Sequence, residues 1–81
     1  MEISFPGDDE KLSGDQQPIM IRGETDQGNR VTINDRLAIM DQNGKFSLNF
    51  RLPDGETMLK FIVTDTAGNQ ITKERKVHYS P

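Results

Sequence analysis

Lys45–Leu52, KFSLNFRL, is the stretch that decides the fold, because apolar and polar side chains alternate along it without interruption. A period of two places successive side chains on opposite faces of an extended strand, as in a sheet with one buried and one hydrated face. Turn sequences bound the stretch on both sides, with Asn43-Gly44 before it and Pro53-Asp54-Gly55 after it. It therefore predicts a β-strand whose core-facing residues are Phe46, Leu48, Phe50 and Leu52.

Similar short alternating runs lie on both sides of this strand, separated by turns rich in Gly, Asp and Asn. No segment keeps the 3.6-residue period of an amphipathic helix. The predicted strands are 2–5, 18–24, 30–33, 36–40, 45–52, 57–65 and 70–79, and residues 8–17 are predicted to be a polar loop. About seven antiparallel strands with evenly spaced turns predict an all-β, immunoglobulin-like sandwich.

The predicted core contains the apolar residues that face inward from these strands. They are Ile19, Ile21, Val31, Ile33, Phe46, Leu48, Phe50, Leu59, Phe61, Val63 and Val77. The same alternation assigns four further side chains to the inner side, namely Leu37, Ile39, Ile71 and Tyr79. Ile62 interrupts the pattern and is predicted to lie on the outer face.

The last strand carries charges at positions where the alternation predicts inward side chains. Lys73 and Arg75 would face the core, where an unpaired charge is costly. Either a bulge shifts the register, or the strand lies at a sheet edge where long side chains reach water. Inward charges on an edge strand also oppose pairing with the edge of another sheet.

An odd number of strands that reverse direction at each turn places the first and last residues at opposite poles. A domain with opposite ends is suited to serial connection with its neighbours. The 81 residues suffice for one domain, so we expect residues 1–81 to form a single domain with an ordered core of about 2–79. We expect that domain to be excised from a larger multidomain protein and to be monomeric in isolation.

Composition excludes several classes of function. The net charge of −3 argues against nucleic-acid binding, which requires a basic face. The absence of cysteine excludes disulfides and thiolate zinc sites. No apolar run is long enough for a membrane span, so direct membrane insertion is not expected. The first twenty residues are acidic and polar and do not form a signal peptide, so any export signal lies outside this chain.

The sequence predicts no catalytic, cofactor-binding or metal-ligating residue. His78 is the only histidine, and the alternation places it on the hydrated face of the last strand. Asp8, Asp9 and Glu10 are consecutive and lie in a predicted loop, without an apolar pocket that would raise a carboxyl pKa. We therefore predict that the chain is not an enzyme.

Two binding alternatives remain open at this level. In the seven-strand order, three turns fall at one pole and bring together four oxygen donors suited to calcium, namely Asp26, Asp41, Asn43 and Asp65. Each aspartate is, however, already explained by its own turn. Carbohydrate binding is the second alternative, but it favours exposed aromatic platforms. The chain has no Trp, and its Phe residues are all predicted to face the core.

The motifs from Gly23 onward resemble those of bacterial immunoglobulin-like domains of the glucodextranase B-domain type. The resemblance covers about residues 2–79 and includes the opening Ile3 with Pro6-Gly7-Asp8. Its turn and core positions are Gly23, Thr25, Val31, Asn34, Asp41, Gly44, Phe46, Gly55, Glu56, Leu59, Phe61, Val63, Asp65 and Ala67-Gly68-Asn69. The sequence departs from the pattern at Asp35, where a glycine is common, and at Thr57, where an asparagine is usual.

These motifs specify a fold far better than a function. The resemblance implies an exported bacterial protein, whether surface-bound, secreted or periplasmic, in which the domain is a spacer, an adhesive module or an enzyme appendage. The partners implied are neighbouring domains of the parent chain, another protein or a polysaccharide.

Overall fold

Two sheets packed face to face make up the computed structural model, which describes residues 1–15 and 17–81. Within the described residues the strands are β1 (Glu2–Phe5), β2 (Glu10–Ser13), β3 (Ile19–Glu24), β4 (Arg30–Ile33), β5 (Arg36–Leu37), β6 (Ile39–Met40), β7 (Lys45–Phe50), β8 (Gly55–Thr64) and β9 (Gln70–Ser80). One sheet has the order β1-β3-β7-β6 and the other β2-β9-β8-β4-β5. A search of the described residues finds no helix able to cross a membrane. The predicted immunoglobulin-like sandwich is confirmed.

The core lies between the two sheets and follows the predicted alternation. Of the eleven predicted core residues, ten are buried, and Phe50 is half-buried against the others. The Phe50 ring lies 5.4 Å beneath the guanidinium of Arg36, which covers its open side. Leu52, which the 45–52 alternation also directs inward, is buried as well, and two further core residues, Leu12 and Ala38, come from positions outside the prediction.

The predicted polar loop at residues 8–17 is wrong for its central part, because Glu10–Ser13 forms β2. This strand pairs in parallel with β9, from Glu10 opposite Val77 to Ser13 opposite Ser80. Leu12 is its only apolar residue and is 5 % exposed. One apolar residue among polar neighbours gives too short a pattern for period-two analysis to detect.

The predicted strand at residues 36–40 is divided between the two sheets. β5 pairs with β4, whereas β6 pairs with β7. Between them, the amide of Ala38 donates to the carbonyl of Val31 at 2.9 Å, and its methyl group is buried. Because Ala38 faces inward, its neighbours face outward, so the inward assignment of Leu37 and Ile39 is wrong. They are 60 % and 72 % exposed.

The last strand is an edge strand over most of its length. β2 covers only Val77–Ser80, and no other described strand pairs with the outer side of β9. Its register with β8 is continuous from Gly55 to Thr64, so a bulge does not explain the inward charges. Ile71 lies opposite the buried Val63, so it is on the core side as predicted, but it is 58 % exposed because it lies near the hairpin end of this uncovered edge. Tyr79 packs partly against the core.

Asp35 adopts a left-handed backbone conformation, which glycine reaches more easily than other residues. Asn34 and Asp35 have φ values of 49° and 67°, and they connect the paired residues Ile33 and Arg36. Positive φ at both central residues defines a type I′ hairpin turn, in which Asn and Asp are tolerated. The Asn34 side chain also accepts a hydrogen bond from the Lys60 amide at 2.8 Å, which ties the turn to β8.

Candidate functional site

The three predicted turns lie together at one pole of the sandwich, here called the turn pole. Residues 25–29 join β3 to β4, residues 41–44 join β6 to β7, and residues 65–69 join β8 to β9. The first and third turns line one shallow cleft together with Met1. The Thr25 amide donates to the Gly44 carbonyl at 2.8 Å, which attaches the second turn to the first.

Asp41 and Asp65 organise their turns by the same hydrogen bonds. One carboxylate oxygen of Asp41 accepts from the amides of Asn43 and Lys45, at 2.8 and 2.9 Å. The corresponding oxygen of Asp65 accepts from the amides two and four residues later, at 3.0 and 2.9 Å. These side chains therefore stabilise the backbone of two hairpins, as expected for Asp at such turns.

Hydrogen bonds from Asn69 lower the pKa of the Asp65 carboxyl, the amide of that residue contributing most and its side chain next. The carboxylate is thus stabilised in the folded state relative to the unfolded chain. A lowered pKa in the folded state contributes stability above the ordinary value near 3.8. That contribution is lost as the pH falls through the lowered value.

We therefore expect Asp65→Asn to destabilise the domain at pH 7, and we expect this deficit to shrink as the pH is lowered toward about 2, because a charged carboxylate accepts these hydrogen bonds more strongly than a protonated carboxyl or a neutral amide does. Urea unfolding at several pH values measures the difference. The control is Asp54→Asn in the exposed loop before β8, which makes the same carboxyl-to-amide change away from the turn pole. An Asp65→Asn deficit that stays constant across this range would contradict the assignment.

At the turn pole, two of the four oxygen donors considered for calcium, Asp26 and Asp65, line the same cleft. Among the described residues, no group of three or more His, Asp or Glu side chains is placed to hold a metal ion. The carboxylates of Asp41 and Asp65 are directed at backbone amides of their own turns. The pole brings the predicted residues to the same end of the molecule, but their chemistry there is turn stabilisation.

The acidic run and the histidine also have local roles. One carboxylate oxygen of Asp8 accepts from the Lys76 amide at 3.2 Å, and Glu10 accepts from the Gly7 amide at 3.1 Å. His78 lies 4.0 Å from Glu56, its cross-strand neighbour on the outer face of β8. These contacts connect the first turn of the chain to β9 and do not bring a base and a nucleophile together.

Polar side chains line a cleft on the outer face of the four-stranded sheet. Arg22, Lys45 and Ser47 line it, with Ile39 at its rim. Phe46 reaches it from below but is 2 % exposed. The cleft therefore offers charges and hydroxyls to a ligand, without an aromatic face on which a sugar ring stacks.

The uncovered half of β9, residues 70–76, is the other distinctive surface and is called the open edge. The Lys73 ammonium donates to the carbonyl of Met1 at 2.8 Å. The Nε atom of Arg75 is buried without a hydrogen-bond partner. Lys73 is exposed and Arg75 is half-buried, so both charged side chains remain in reach of water at an edge that resists pairing.

Sequence reasoning missed the seam between β2 and β9, which joins an early segment of the chain to its last strand. The Gly14 amide donates to the Ser80 carbonyl at 3.0 Å, and the Tyr79 hydroxyl donates to the Gly14 carbonyl. The available signal was the isolated Leu12, an apolar residue inside a polar segment. A residue of this kind indicates burial, but it does not identify the partner strand.

Comparison with known proteins agrees with this architecture. Curated protein sequences yield no significant match. Among solved structures, the crystal structure of CopC from Methylosinus trichosporium OB3b is similar with a TM-score of 0.65 and 16 % identity, over 100 % of this chain and 91 % of that one. At this identity the likeness concerns the fold alone. The family model for glucodextranase, domain B, matches residues 1–80, and the chain therefore belongs to that family.

Proposed function

We propose that the chain is a non-catalytic structural module of an exported bacterial protein, which holds neighbouring parts of that protein at a fixed separation. Membership of the glucodextranase domain B family supports an accessory role and an exported parent.

The position of the two ends carries this proposal. β1 begins at Glu2, opposite the last residue of β3, at the turn pole. β9 starts at the same pole and ends at Ser80, opposite Ser13, at the other. The molecule measures 41 × 20 × 17 Å. Segments attached to the two ends would therefore be separated along the long axis of a well-packed sandwich.

A distance measurement across the whole chain tests the spacer role. Spin labels at Glu2→Cys and Pro81→Cys are unambiguous, because the chain contains no other cysteine. We expect one narrow distance distribution, unchanged when carrier domains are fused to both ends. A broad distribution, or one that shortens after fusion, would contradict a fixed spacing. Catalytic turnover by the chain would overturn the non-catalytic assignment.

Carbohydrate binding is the alternative function for an accessory module of a secreted enzyme. The cleft at Arg22 and Lys45 is the place where a polysaccharide would be bound. The half-buried or buried state of every Phe gives it less support than the spacer role. Retardation on polysaccharide gels that is abolished by Arg22→Ala would favour this alternative, whereas unretarded migration would favour the spacer.

The open edge favours a protein contact in addition to spacing. Antiparallel pairing with β8 directs the backbone groups of alternate β9 residues away from that strand. An extended segment of a partner is able to pair with such an edge. Because Lys73 and Arg75 are positively charged, pairing at this edge is limited to partner segments with acidic side chains that neutralise them.

A further inference from the structure

We propose that the parallel pair formed by β2 and β9 is a mechanical clamp, which makes the chain resistant to tension applied between its ends. This inference rests on the proposed spacer function and adds the load that the spacer carries. It follows from the direction in which the two strands run and from the poles at which the chain begins and ends.

Tension between the ends acts along the strands. The first strand would be pulled toward the turn pole and Ser80 toward the opposite pole. β1 has three partner pairs with β3, and its register is irregular between Ile3 and Phe5. It is therefore the weaker attachment, and once it slips the load reaches β2 at Glu10.

At that point the force pulls the two strands of the clamp in opposite directions along their common axis. β2 is held at its first residue and β9 at its last, and the strands are parallel. Sliding one past the other strains all of the interstrand hydrogen bonds together. In a pair pulled from two adjacent ends, by contrast, the bonds break one after another. Four residue pairs share the load in the clamp.

Contacts on both sides reinforce the clamp. Leu12 anchors β2 in the core, between the two sheets. After β2, the Gly14 amide donates to the Ser80 carbonyl and the Tyr79 hydroxyl donates to the Gly14 carbonyl. Before β2, the Asp8 carboxylate accepts from the Lys76 amide. The pairing therefore extends beyond the strand itself into the segments that lead into and out of it.

Two variants that differ only in where the pulling force is attached test the clamp. In single-molecule force spectroscopy, handles attached at Glu2→Cys and Pro81→Cys load the clamp in shear. Handles attached at Asp15→Cys and Pro81→Cys instead pull on two adjacent ends, so that the pair separates one residue at a time, beginning with Ser13 and Ser80. Since four pairs share the load in shear, we expect a rupture force about fourfold higher than in opening. Equal melting temperatures of the two variants show that only the direction differs.

A matched pair of leucine variants locates the resistance. Leu12 and Leu52 are 5 % and 4 % exposed, but only Leu12 lies in the clamp. In the shear direction we expect Leu12→Ala to lower the rupture force more than Leu52→Ala does. Equal forces in the two pulling directions, or equal effects of the two leucine variants, would overturn the clamp. The spacer role would then still stand if the spin-label distance is fixed, so the two failures are distinguishable.

Discussion

Phe61→Ala is expected to unfold the domain or to leave it barely folded. Phe61 is 0 % exposed at the centre of β8, and its ring lies 6.4 Å from that of Phe46 in a tilted arrangement. Truncation of a buried phenylalanine costs about 3–5 kcal/mol. A chain of 81 residues has roughly 4–12 kcal/mol of stability to lose. Urea unfolding followed by far-ultraviolet circular dichroism measures the change.

Two further variants distinguish the loss of core packing at Phe61 from a general sensitivity of β8 to substitution. Phe61→Leu keeps most of the apolar volume and provides a folded variant whose stability can be measured if the alanine variant does not fold. Met58→Ala changes an exposed residue of the same strand and is expected to cost less than about 1 kcal/mol. A melting temperature of Phe61→Ala within a few degrees of the parent would show that this ring does not hold the two sheets together.

The centre of the sandwich was predictable because its strands have one consistent inner face. In β3, β7 and β8 the inward-facing residues alternate with less buried ones over six or more positions, and a shift of one residue would expose the whole inner set. The turns at Asp41 and Asp65 were equally clear, since Asp and Gly at these spacings fix the backbone locally. Both kinds of signal depend on neighbours in sequence.

The edges were not predictable from such signals. The chain passes from one sheet to the other at the buried Ala38, so that Leu37 and Ile39 belong to different sheets. The alternation of apolar residues alone predicts a single strand there. β2 depends on β9, which is more than sixty residues away in sequence. Ile71 is exposed because no strand covers that part of the sheet edge. The site followed the same rule, because the turns were identified but the seam between β2 and β9 was not.

Gly44→Ala is expected to be the most damaging single-methyl change in the turns. Gly44 has a φ of +82°, and a Cβ atom there would lie 2.0 Å from the carbonyl oxygen of Thr25. Backbone strain for alanine in this region costs about 1–2 kcal/mol, and forcing an added group into a packed contact costs typically about 1–3 kcal/mol more. We therefore expect a loss of about 2–5 kcal/mol in the free energy of unfolding.

Gly68→Ala is the matched control, because Gly68 occupies the equivalent position of the Asp65 turn with a φ of +90°. A Cβ atom there meets nothing within 4 Å, so only the backbone strain remains and the expected loss is about 1–2 kcal/mol. The difference between the two variants, measured by urea unfolding, isolates the contact between the second turn and the first. Equal losses would mean that Thr25 moves aside freely and that the turn pole is not a rigid unit. A larger loss at Gly44 would mean that two turns distant in sequence depend on the absence of one methyl group.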